Sequence, residues 1–426
     1  MRRACYIPRT LRHIKATLVC ASLAAFIAAG LFELGAFRAL DAALASFLDY
    51  PEPGTARASQ YLLILTFALG IAWTTVDIGR NLLKAVIAVV ALAETFAAAW
   101  ALNLRDVFFS PFASIAAIVL SFTCAFFYGQ TSAGRRKRTL HQFLGDRVSA
   151  RTFTALLDSD IPLIFEGEQR TATVVICELF NHDELADSLN VQDHVAMTNA
   201  FLRNSADVLV EHGGYLDECD GESLRVVFGA PLPDSRHAIH ACEAALELIQ
   251  RLDALNRECH AKFGKHFDYR VGINSGEMIM AAYGSRRVGS LSVAGESVNF
   301  ARRLCAANTI YGTHILVGAG AFVLAEEGIE VRPMEFIQRD TESPEREEVY
   351  ELLARHGTLS APERERRDLF WKGIVYFREQ RWDDALTVFR QAAQLCGADA
   401  PCEFYIHRIE QVRAGRPAPG FNNPKL

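Results

Sequence analysis

The chain has 426 residues, room for two or three domains at ~150 residues each. Its 44 Lys+Arg against 50 Asp+Glu leave a net charge of −6, which provides no cation excess for a dedicated nucleic-acid binder. Charged residues at 22% and hydrophobic residues at 50% exclude global disorder, while the mean hydropathy of +0.11 points to a local apolar excess.

That excess lies at the N-terminus. Ala16 to Phe32, Ser59 to Val76 and Val107 to Gly134 contain no charged residue, and Leu82 to Leu102 contains only Lys84 and Glu94. About 20 apolar residues cross ~30 Å of hydrocarbon, so residues 1–133 are read as a transmembrane domain. Its four helices are predicted near 16–36, 59–78, 82–102 and 107–133. Arg2 and Arg3 before the first run also suit a signal peptide, but no clean cleavage site follows, which favours an uncleaved anchor. Loop cations cluster at Arg2, Arg3, Arg9, Arg12 and Lys15, at Arg80 and Lys84, and at Arg135, Arg136, Lys137 and Arg138. The opposite side has Arg38, Arg57 and Arg105. The positive-inside rule then places the N-terminus and everything after residue 134 in the cytoplasm, in a plasma (inner) membrane. The outer loop, 33–58, is too short for a folded sensor domain. Glu94 within the third span is either a sensing or pairing site, or a helix–helix contact.

Thr139 to Leu157 has helical spacing, and residues 134–165 are read as a cytoplasmic connecting helix. A β-branched strand, Thr173–Cys177, precedes a helical stretch from about Asp183 to Val210, which ends at His212-Gly213-Gly214. Strands at Tyr215–Asp217 and Leu224–Phe228 flank a turn at Gly221-Glu222, and a long helix runs from Ser235 to about Leu255. Strands follow at Tyr269–Ile273 and Glu277–Tyr283, then a helix near Glu296–Ala307 and a strand at Ile315–Val317. The alternation predicts an α+β sandwich with one helical face. The ten cysteines lack C-x-x-C pairing, which suits reduced buried thiols; Cys219, beside charged residues, is either reactive or an inert half-buried thiol.

Several motifs then appear in order. They are His212-Gly213-Gly214-Tyr215-Leu216-Asp217, Gly221-Glu222, and Val227-Phe228-Gly229-Ala230-Pro231. Arg270-Val271-Gly272-Ile273-Asn274-Ser275-Gly276-Glu277 follows, then Val293-Ala294-Gly295-Glu296-Ser297-Val298-Asn299-Phe300-Ala301-Arg302-Arg303-Leu304. A closing segment runs from Ser343-Pro344 to Val349-Tyr350-Glu351-Leu352. Together they resemble the class III adenylate/guanylate cyclase catalytic domain over residues 166–355, and the resemblance implies an α+β ferredoxin-like fold.

The resemblance implies further that two divalent cations, Mg²⁺ or Mn²⁺, are held at Glu178 and Glu222, where the family usually has aspartate. Hard oxygen donors suit those ions, which would assist attack of the ribose 3′-oxygen on the α-phosphate. The extra methylene at both positions either shifts the metals or marks a site that no longer turns over. Asn299 and Arg303, four apart on a predicted helix, correspond to the family's residues at the transferring phosphoryl group. Glu218 and Ser290 correspond to its base-recognition positions; a carboxylate accepts guanine N1–H and N2–H₂ but meets adenine N1 unfavourably, which leans toward GTP over ATP. Asn181-His182 and Ala281 depart from the family's glycine pattern, whereas Gly284-Ser285 keeps it. A single cyclase domain implies a homodimer, because the family forms its active sites between two such domains. Residues 363–413 are predicted helical throughout, and Trp371, Gly373, Tyr376, Trp382, Ala385, Phe389 and Ala392 resemble one tetratricopeptide-like hairpin.

Two functions remain open at this stage. One is a membrane-bound cyclase making a 3′,5′-cyclic nucleotide and pyrophosphate from ATP or GTP; the alternative is a catalytically silent cyclase-like module for regulation or dimerisation. A cyclic-dinucleotide synthase is disfavoured, because no GG(D/E)EF-type turn is present.

Overall fold

The computed structural model describes residues 11–47, 57–78, 81–103, 109–131, 136, 139–141, 143–159, 166–284, 289–339 and 345–416. Most of the loop cations used for orientation (Arg2, Arg3, Arg9, Arg80, Arg105, Arg135, Lys137, Arg138) lie outside the described residues, as do Ser285, Ser343 and Pro344. The chain divides into two compact units, residues 1–142 with 153–160, and residues 143–152 with 161–426.

In the first unit, α1 (Leu11–Glu33), α3 (Arg57–Asp77), α4 (Asn81–Asn103) and α5 (Pro111–Gln130) provide four helices long and apolar enough to cross a membrane. Small side chains let α1, α3 and α5 approach closely: Ala21, Ala24, Ala28, Ala68, Ala72, Ala113 and Ala117 are buried together. Polar groups among these apolar helices are paired internally: Ser121 Oγ donates to the Ala68 carbonyl at 2.7 Å, and Gln60 Nε2 to that of Ser110 at 2.8 Å. An additional short helix, α2 (Arg38–Phe47), lies in the loop read as too short for a folded sensor domain. Glu94 lies exposed on α4.

The predicted connecting helix is interrupted by a 3₁₀ turn at Gly145–Arg147 before α6 (Ala150–Asp158).

The second unit is built on an eight-stranded mixed sheet. Its elements are β1 (Glu168–Leu179), α7 (His182–Ser188), α8 (Val191–Glu211), β2 (Tyr215–Cys219), β3 (Ser223–Phe228), α9 (His237–Phe263), β4 (Tyr269–Gly284) and β5 (Gly289–Ala294). They continue with α10 (Glu296–Tyr311), β6 (Ile315–Gly318), α11 (Ala319–Ala325), β7 (Ile329–Gln338) and β8 (Arg346–Arg355). The strand order is β2-β3-β1-β4-β6-β8-β7, with β5 on β4. Among the described residues, β4 and β6 run parallel and the other strand pairs are antiparallel.

Strand alternation sends successive residues to opposite faces. Val175, Cys177, Val271, Ile273, Ile315 and Val317 pack beneath α8, α9 and α11. Leu316, Met334 and Val349 face the other way, against α10 and the C-terminal helices α12 (Ala361–Arg378), α13 (Trp382–Leu395) and α14 (Ala400–Arg413). The sheet is therefore covered by helices on both faces rather than one.

Three more expectations change. The helical stretch after β1 is two helices, because Asn190 restarts it as an N-cap whose side chain accepts from Asp193 N–H at 2.9 Å. The two strands expected around Asn274-Ser275-Gly276 are one continuous β4, zipped to β1 along its length. The C-terminal segment is not helical throughout: α12 and α13 pair as the expected hairpin, and a third helix, α14, follows a break at 396–399.

Candidate active site

The end of β1 and the β2–β3 turn are tied together by backbone: Leu179 N–H donates to the Glu222 carbonyl at 2.8 Å. This bond places Glu178 and Glu222, forty-four residues apart in sequence, at one end of the sheet. The turn is held by Asp220, whose carboxylate accepts from Glu222 N–H at 3.0 Å, Ser223 N–H at 2.6 Å and the Ser223 hydroxyl at 3.0 Å. Burial acts to raise the Asp220 pKa, but those donors outweigh it and hold the group below the ordinary carboxylate range. Glu178 behaves oppositely. Burial pushes its carboxyl up, a Cys305 hydrogen bond and the Arg302 charge pull it down, and the negative charges of Glu222 and Asp220 raise it again. The cation acting on this group is thus Arg302, the neighbour of Arg303, which sequence reasoning had not singled out. His182 stands at the rim, with Nδ1 3.7 Å from a Glu222 carboxylate oxygen. Asn181 is structural: its side chain donates to His266 O at 2.9 Å and accepts from Asp268 N–H at 2.9 Å.

A second polar cluster lies across β2, β3 and β5. The β2–β3 register shifts between Leu216 and Glu218, and this bulge aims both Asp217 and Glu218 at Arg225. Arg225 Nε donates to buried Asp217 at 2.5 Å, one terminal nitrogen lies 3.1 Å from Glu218, and the other donates to the Ser292 hydroxyl at 3.3 Å. Burial raises the Asp217 pKa, and the Arg225 charge opposes that rise. Glu218 is half exposed beyond this anchored fork. Ser290 sits two residues before Ser292 on the same face of β5, opposite Tyr283 of β4. Ser292, not Ser290, is the hydroxyl joined to Arg225. Neither Arg225 nor Ser292 carried a local sequence signal; the bulge and the β4–β5 register create their roles.

Asn299 and Arg303 lie one turn apart on α10, Asn299 exposed and Arg303 half-buried. The helix can lie against the sheet because β4 has glycine at the crossing: a Cβ on Gly272 would fall 2.1 Å from the Ala301 carbonyl oxygen and 2.5 Å from Cys305 N.

Among the described residues, no three His, Cys, Asp or Glu side chains converge as a ready-made metal cage. The donor chemistry nevertheless fits a hard divalent cation. Glu178, Glu222 and Asp220 supply carboxylate oxygens close enough to repel one another at Glu178, a repulsion a cation relieves. Cys219 is exposed, and partial burial, with Asp220 beside it, raises its thiol pKa, the reverse of an activated thiolate.

Residues 166–337 match the family model described as the adenylate and guanylate cyclase catalytic domain. Adenylate cyclase 1 of Rhizobium meliloti is 26% identical over 166 residues, 39% of this chain and 25% of that protein. The chain thus spans about a quarter of the length of that curated relative. Among solved structures, the guanylyl cyclase Cya2 aligns at 23% identity with a TM-score of 0.42, over 46% of this chain and 97% of that one. The adenylyl cyclase CyaB from P. aeruginosa aligns at 20% identity with a TM-score of 0.42, over 46% and 100% respectively. The sequence motifs and the family match cover the same α+β domain, so residues 166–337 are similar in sequence to the adenylate and guanylate cyclase catalytic domain.

Proposed function

We propose that the chain is a membrane-anchored, homodimeric cyclase that converts a purine nucleoside triphosphate, GTP in preference to ATP, to the 3′,5′-cyclic nucleotide and pyrophosphate. The observation that carries this reading is the meeting of Glu178, Glu222 and Asp220 at one end of the sheet of a cyclase-family domain. Glu178 and Glu222 would hold the two divalent cations, Mg²⁺ or Mn²⁺, which neutralise phosphate charge and acidify the ribose 3′-hydroxyl. Bond formation between the 3′-oxygen and the α-phosphorus balances loss of pyrophosphate, and the 3′-hydroxyl proton leaves to solvent or a carboxylate.

The chain's own side chains then divide the remaining tasks. Arg303 offers a preorganised cation to charge on the phosphoryl oxygens, and Asn299, one turn earlier, orients the ribose-phosphate. Glu218 accepts from guanine N1–H and N2–H₂, while Arg225, already fixed by Asp217, holds that carboxylate in place. Adenine would set its N1 acceptor against the same carboxylate. In a two-fold dimer the carboxylates of one protomer and the Asn299–Arg303 pair of its partner complete one site, and the second site follows by symmetry. The four apolar helices anchor the dimer in the plasma membrane, with the N-terminus and cyclase domain on the cytoplasmic side.

The test is turnover by the full-length chain in detergent or nanodiscs, with ATP or GTP and with Mg²⁺ or Mn²⁺. Cyclic product, with GTP the better substrate, is expected. A folded dimer that makes none under any of the four conditions would favour the silent regulatory module instead.

A further inference from the structure

The family match ends at residue 337, but the core to which it belongs does not. Phe300, Leu304 and Tyr311 of α10 share one apolar cluster with Phe370 of α12, Phe389 of α13 and Tyr405 of α14. The join is specific as well as apolar. The Tyr405 hydroxyl donates to the Met334 carbonyl of β7 at 2.6 Å, and the Tyr311 ring meets Phe404 edge-on at 5.2 Å. Gly312 ends α10 at φ +67°, and a Cβ there would fall 2.5 Å from that of Ala400, the first residue of α14. Such an approach admits only glycine, so the end of α10 and the start of α14 are fitted to each other.

A buried ion cluster closes the joint. Arg332 of β7 is 2% exposed, donates to both carboxylate oxygens of Asp399 at 2.9 Å, also pairs with Glu351, and lies 4.5 Å over the Phe370 ring. Asp399 simultaneously caps α14, accepting from Cys402 N–H at 3.1 Å. Undocking α14 would deprive a buried guanidinium of its bidentate partner, which strongly opposes release.

We propose that α12–α14 form a positioning element of the catalytic unit: docked through Asp399 and Tyr405, they clamp the C-terminal end of α10, whose first half presents Asn299 and Arg303. Tertiary packing, more than intrinsic propensity, holds a helix of this length in one pose, and this end of α10 packs against α14. The consequence for turnover rests on the roles proposed for Asn299 and Arg303; the clamp itself does not.

Hydrogen exchange on the full-length chain in nanodiscs reads the clamp directly, and kinetics read its consequence. Asp399→Asn should speed exchange of α14 and, with it, of residues 296–311 by about tenfold, as loss of a charge-assisted pair implies. Where product is made, kcat should fall while KM moves by less than about twofold, the pattern of a misplaced catalytic group rather than lost binding. Tyr405→Phe removes one hydrogen bond and keeps the ring, so it should act in the same direction more weakly, and it carries the test if Asp399→Asn does not fold. Faster exchange in α14 with α10 unchanged, no change in either helix, or a loosened α10 with kcat intact would each overturn the proposal. If the wild-type chain makes no cyclic nucleotide, the exchange arm still decides: linked loosening supports the clamp, and independent loosening refutes it.

Discussion

Asp217 and Glu218 are consecutive on β2, yet one guanidinium, Arg225, reaches both because a bulge turns the strand at that point. Glu218 is thus one arm of a fixed ion network, and its acceptor geometry depends on Arg225. Arg225→Lys keeps a charge for buried Asp217 but loses the planar fork, so the ratio of kcat/KM for GTP over ATP should fall about tenfold. A ratio unchanged in competition assays would remove Arg225 from base recognition. Glu178→Ala should lower kcat at least about a hundredfold with the fold intact by circular dichroism, the scale of losing a principal electrostatic group. Retention of activity would place the metals elsewhere. Glu178 and Glu222 were singled out by the resemblance to the cyclase family. Arg225, Ser292 and Arg302 were not, because their neighbours come from strand register and helix azimuth, which no local pattern encodes.

The two segments that hold the site were legible to different degrees. The β2–β3 hairpin announced itself through its glycines, whereas β4 was broken in two at Asn274-Ser275-Gly276, a stretch that reads as a turn but is held straight by pairing to β1 on one side. The 7-residue α11 and the strand β7 were missed altogether, because their apolar residues are too few or too irregular to show a period. Gly272→Ala tests the packing of β4 on α10. Its methyl would collide with backbone, so stability should drop by about 2 kcal/mol, seen as a lower denaturant midpoint at an unchanged slope. A neutral result would mean that α10 can shift away. Asp399 supplies a pH signature. Burial acts to raise its pKa, but the Arg332 hydrogen bonds and charge hold the carboxyl below its ordinary value. A depressed folded pKa contributes stability that is complete above the unfolded value and fades as pH falls through the folded one. Wild-type stability should therefore decline on acidification below about pH 4, and Asp399→Asn should flatten that part of the decline. An identical acid limb in both proteins would assign the pH dependence to other carboxylates.

At the scale of the molecule, composition conceals a division. The positive mean hydropathy comes from the membrane-type helices, and the domain that follows is an ordinary mixed sheet with charged helices around it. The four long apolar helices were plain in the sequence because apolar length alone defines them, while α2 between the first two was not, being short and amphipathic. The second layer of helices on the sheet was also hidden, since the C-terminal segment shows only that it is helical and not what it covers. The whole-molecule claim is a cyclase whose carboxylates and whose Asn299–Arg303 pair act across a two-fold axis. Complementation measures it most directly: full-length Glu178→Ala and Arg303→Ala chains are assayed for cyclic nucleotide separately and after co-reconstitution. Each variant alone should be nearly silent, and an equal mixture should recover about a quarter of wild-type turnover, because half of the dimers then contain one intact site of two. A mixture as silent as its parents, beside an active wild type, would contradict the shared-site account.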